Sequence, residues 1–163
     1  MIFGKNRRWC FLVSLLFFGL MAILASGGGS EEDLAPVDIS GLWTFTSTLT
    51  SLNNGECLSD PIEIGDRQRH SVTIITDANV ATLIFDDGTT RTGNIVGNTL
   101  DYRIDINERV GTCDRIVHQQ AQWTFDGETL SGTWRFPITW KNGCTCAEGT
   151  ITDRLFTISG QRQ

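Results

Sequence analysis

The chain carries five cysteines and two histidines, and these are the side chains whose spacing could do chemistry. Cys144 and Cys146 stand one residue apart in "KNGCTCAEGT", while Cys57 and Cys113 are singletons. Such a set could hold a zinc ion, exchange dithiols or form disulfides. A four-thiolate zinc site ordinarily presents C-x-x-C knuckles, which this spacing does not supply. A redox pair wants C-x-x-C at a helix N-terminus, and neither is present. No metal or cofactor is therefore expected, and paired structural thiols are. His70, in "DRQRH", is expected at a solvated loop end, and His118 is expected to face solvent on a strand. Neither has a nucleophile or carboxylate at a defined spacing, and no H-E-x-x-H, G-x-S-x-G or phosphate loop occurs. Catalysis is not expected.

The compartment decides whether thiols pair, and the N-terminus bears on it. Lys5, Arg7 and Arg8 precede an uncharged apolar run from Trp9 to Leu24, and Ala25-Ser26-Gly27 then offers small residues for cleavage. Residues 1–27 read as a secretory signal peptide, with an uncleaved membrane anchor as the alternative. Residues 28–36 read as a flexible tether, rich in glycine and acidic residues. Export to a periplasm, cell envelope or exterior is the expectation. Cys10 leaves with the signal, so four cysteines remain. Removal takes three of the 13 Lys+Arg and none of the 19 Asp+Glu, moving the net charge from −6 to about −9. So acidic a chain is a poor partner for nucleic acid or anionic lipid, and membrane contact is expected only through an uncleaved N-terminus.

From Ile39 onward the apolar residues alternate with period two, and β-branched and aromatic residues abound. "TLDYRIDIN" sets Leu100, Tyr102, Ile104 and Ile106 on one face, with Asp101, Arg103 and Asp105 on the other. The pattern predicts eight strands, at 39–50, 69–76, 79–86, 89–96, 99–107, 114–125, 128–140 and 147–158. Turn signals at "DAN", "DDG", "VGN" and "DGE" make consecutive strands antiparallel neighbours. An eight-stranded meander with one apolar face loses its edges by closing, so residues 37–160 are expected to form one up-and-down barrel. A β-sandwich is the alternative.

Alternating strand direction sends the cysteines to one end. Cys57, Cys113, Cys144 and Cys146 all fall in connections at the end opposite the chain termini, and closure sets Cys57 beside the 144–146 segment. A direct Cys144–Cys146 bridge would close a strained, very small ring. Cys57 then pairs with one of the two and Cys113 with the other. Cys57–Cys146 with Cys113–Cys144 is preferred, because Cys146 lies nearer the start of the eighth strand.

Gly41-Leu42-Trp43 resembles the G-x-W motif on the first strand of lipocalins and related calycin barrels, and "LSGTWRF" is similar to strands of avidin-type barrels. The resemblance implies a tryptophan on the barrel floor crossed by a last-strand arginine. Pairing of the end strands sets Arg154 opposite Thr44, which would give Trp43 and Arg154 that role. "ILASGGGSEED" resembles the start of a bacterial lipoprotein, with glycine and serine where that pattern has its cysteine.

An eight-stranded barrel has room for side chains or for one small ligand. With the floor sealed, a small apolar molecule would enter at the loop-rich end, against Tyr102, Ile104, Trp134, Phe136 and Trp140. The alternative is a lumen filled by those same side chains, the domain then serving as an envelope structural or protein-interaction module.

Overall fold

The computed structural model describes residues 37–58 and 62–163. The expected signal and tether lie outside the described residues. Eight strands follow one another: β1 (Gly41–Asn53), β2 (Arg67–Asp77), β3 (Val80–Phe85), β4 (Thr90–Val96), β5 (Thr99–Val110), β6 (Cys113–Asp126), β7 (Thr129–Trp140) and β8 (Ile151–Arg162). A single 3-10 turn, Gly55–Cys57, interrupts the first long connection. Each strand pairs antiparallel with the next, and β8 pairs with β1 to close the barrel.

Alternation sets the register. Along β5, Leu100 and Tyr102 are buried while Asp101 and Arg103 are exposed, and a one-residue slip would turn that face inside out. The tight connections need positive φ. Gly97 and Gly127 supply it at 60° and 56°, where a Cβ would add strain. These turns, with the described chain ends, mark the bottom of the barrel. The connections after β1, β3, β5 and β7 lie at the top.

The floor is built on Trp43, which is fully buried and donates its indole N–H to the Ile39 carbonyl at 2.9 Å. Its ring meets the edge of Phe125 at 5.0 Å. The arginine across it is Arg162, whose guanidinium lies 5.3 Å above the indole. Arg162 also donates to the backbone carbonyls of Asp38 and Ser40. Arg154 does not take the floor position. The residue opposite Thr44 is Gln161, and Arg154 pairs with Leu52 and Phe136 near the top. The cause lies in the connection before β8. Residues 142–150 form turns, with Gly143 and Gly149 at positive φ, so β8 begins at Ile151 and not at 147. A bulge between Leu49 and Ser51 shifts the β1–β8 register further.

Above the floor, aromatic side chains fill the lumen. Phe45, Phe85, Tyr102, Trp123 and Trp134 pack in one continuous cluster with Trp43 and Phe125. Trp123 stands opposite Gly132 across β6–β7, and Phe45 stands opposite Gly160 across β1–β8. Large rings facing glycines fit a narrow barrel in which two large residues on facing positions would collide. A second, smaller cluster caps one side of the top, formed by Cys57, Val117, Ile138 and Trp140 with both disulfides.

Candidate ligand site at the loop-rich end of the barrel

The disulfides join Cys57 to Cys146 and Cys113 to Cys144. They hold the 3-10 turn and the β7–β8 connection onto the barrel rim, and Trp140 is buried among them. Its indole N–H donates to Thr152 Oγ1 at 2.8 Å, and that hydroxyl donates in turn to the Asn54 carbonyl at 2.9 Å. Trp140 thus serves the rim and does not line the lumen.

Beside this capped sector the top of the barrel is hollow. A cavity of about 220 Å³ is lined by Leu49, Ile62, Trp134, Phe136 and Phe156 on its apolar side. Ser47, Asp66, Gln68, His70 and Arg154 give its polar side. Of the expected wall residues, Trp134 and Phe136 are present. Tyr102 is buried within the aromatic cluster, and Ile104 packs against that cluster's flank. Tyr102 belongs to the filled part of the lumen, level with Trp134 through Ala121, while Ile104 lies nearer the top outside the cavity lining. Trp134, 8 % exposed, forms the cavity floor, tilted against Phe136 at 4.7 Å and stacked on Phe85 at 5.7 Å. Burial pushes the acidity of the Tyr102 hydroxyl far down, so the group is neutral.

His70 is in the cavity wall, contrary to the solvated position its charged neighbours suggest. Its ring stacks on Phe45 at 5.0 Å and meets Trp134 edge-on at 5.3 Å. His70 Nε2 and Ser47 Oγ share a hydrogen bond of 2.9 Å. Burial lowers its pKa, against the opposing pull of Asp86 and Asp87, and favours the neutral imidazole. Alternation places it inward, since β2 buries Val72 and Ile74 on the same face. That period was readable in "RHSVTII", but the four charged and amide residues before it masked the signal.

Arg154 is inward by the same rule, between buried Thr152 and Ile158 on β8. Its guanidinium lies 5.3 Å over the Phe136 ring. Its Nε is buried and has no hydrogen-bond partner among the described residues. Burial lowers its pKa, with repulsion from Arg115 in the same direction and Glu108 opposing. Glu108 is already engaged by Arg115 at 2.7 Å.

His118 occupies the outer face, where strand register supplies partners that linear spacing hides. Its Nδ1 lies 2.7 Å from Asp105 Oδ1 and its Nε2 lies 3.1 Å from Thr139 Oγ1. Acid, imidazole and hydroxyl in that order resemble a catalytic relay. Thr139 itself is paired with Ile116 of β6 and Ile151 of β8, so its backbone is held within the sheet. The trio acts as a cross-strand polar tie.

Fold and site define an eight-stranded, antiparallel, closed and disulfide-stapled barrel, compatible with a calycin-like fold, with a small amphipathic cavity at its loop-rich end. The chain matches no family model, no curated protein and no solved structure. Among the described residues no helix is long and apolar enough to cross a membrane.

Proposed function

We propose that the chain is an exported, lipocalin-like binding module that holds one small, largely apolar molecule at the loop-rich end of its barrel. The cavity carries this reading: it is concave, walled by Leu49, Trp134, Phe136 and Phe156, and edged by a few convergent polar groups. Two disulfides are consistent with an oxidising compartment, and therefore with export. Arg162 over Trp43 supports the lipocalin-like reading of Gly41-Leu42-Trp43. The test is titration of intrinsic tryptophan fluorescence with small apolar and amphipathic molecules of one ring, beside a Trp134→Phe variant. Binding should quench or shift the Trp134 contribution and raise Tm as ligand is added in excess of Kd. A panel that moves neither the emission nor Tm would overturn the binding reading. The filled lower lumen favours a second reading, an envelope interaction module without ligand, which predicts that silent panel and capture of a partner on the outer face.

A further inference from the structure

Resting on that reading, we infer that the ligand is a small monocarboxylate of about one ring, its carboxylate seated on Arg154 and its apolar body against Trp134, Phe136 and Phe156. Size comes first. An apolar cavity of about 150 Å³ accommodates benzene, so about 220 Å³ takes one ring with a short polar arm. Long acyl chains, retinoids and haem do not fit the space above Trp134.

Charge comes next. Arg154 contributes a cation to the polar side of the wall, beside Trp134, Phe136 and Phe156, and among the described residues no carboxylate reaches it. Arg115 takes Glu108 and Arg135 takes Asp153, so these arginines of β6 and β7 are neutralised within the fold. Among the described residues Arg154 has the Phe136 ring but no carboxylate, and a bound anion would offset the cost of its partial burial. Its planar fork suits the two oxygens of a carboxylate. Among the described residues Asp66 is the one carboxylate on the cavity lining. It is exposed on the rim and accepts the Glu63 backbone N–H at 2.8 Å, so water screens its repulsion. Ser47, Gln68 and His70 provide further polar contacts on the adjoining wall, with His70 favoured neutral. Among the described residues the cavity lining thus holds one fixed cation, which matches a single negative charge and not a diacid.

The experiment compares phenylacetate with phenylacetamide, which has the same shape without the charge. Both are titrated calorimetrically and by fluorescence into the wild-type protein and into the Arg154→Met and Arg154→Lys variants. The wild type should bind the acid at least ten-fold tighter than the amide. Arg154→Met should erase that preference, and Arg154→Lys should retain part of it. Thermal melts of Arg154→Met should show a Tm equal to or above that of the wild type. Equal binding of acid and amide by the wild type, or a preference that survives Arg154→Met, would overturn the inference and leave the binding module standing. Failure of both probes would overturn both.

Discussion

His70 is wedged between Phe45 and Trp134, and the cost of that position is electrostatic. Burial disfavours its charged form, so its folded pKa lies below the ordinary 6.5, although Asp86 and Asp87 pull the other way. Between the folded and ordinary values the unfolded chain holds the extra proton, so acidification through that window favours unfolding. Stability is therefore expected to fall as pH drops through the ordinary histidine value of 6.5, and a His70→Gln variant should show a shallower fall. Melts at stepped pH measure both slopes, and identical slopes would remove the burial argument. Arg162 and Arg154 make the complementary point. One arginine has an indole face, two backbone carbonyls and Glu128, while the other has the Phe136 ring and an Nε without a partner among the described residues. The first ties the floor to the backbone, and the second stands in the cavity wall. Sequence spacing named Arg154 for the floor because the expected last strand, 147–158, set it opposite Thr44 and stopped short of Arg162, whereas β8 runs from Ile151 to Arg162.

At the scale of the strands, glycine placement decides how closely neighbours can approach. Gly132 adopts φ 149° directly opposite Trp123, and a Cβ there would run into the Gln122 carbonyl of β6. A Gly132→Ala substitution combines backbone strain with a clash against a paired strand, neither of which a side-chain rotation can relieve. It is expected to cost about 2–3 kcal/mol by denaturant titration. Gly88→Ala, in a turn where a Cβ meets nothing within 4 Å, should cost about 1 kcal/mol from its positive φ alone. Equal losses would mean that the β6–β7 approach is not tight. Apolar alternation made the strands legible, and "LSGTWRF" placed Gly132 within one. That its partner would be Trp123 depended on pairing.

For the whole molecule, the staples close loops of different length. Cys57–Cys146 spans 89 residues and Cys113–Cys144 spans 31. Loop-closure entropy assigns them about 4.5 and about 3.5 kcal/mol respectively. The Cys57→Ser/Cys146→Ser double variant should therefore lose more stability than Cys113→Ser/Cys144→Ser, as read from denaturant midpoints. It should also weaken ligand binding, because the longer bridge fixes the rim beside the cavity. The reverse order would assign the stabilisation to packing around Trp140 and not to chain closure.

Strand number, direction and closure followed from period two and from turn chemistry, both set by neighbours in the chain. The gathering of Cys57, Cys113, Cys144 and Cys146 at one end followed from direction alone. What the fold decided was how far each strand slides on its partner and how much volume remains once the rings are packed. The turn-rich 142–150 segment and the Leu49/Ser51 bulge slid Arg154 up to the cavity and brought Arg162 to Trp43. Register across β5, β6 and β7 gave His118 its partners. The lumen proved filled below Trp134 and hollow above it. Sliding and filling are sums over contacts between distant residues, so no local pattern in the chain encodes them.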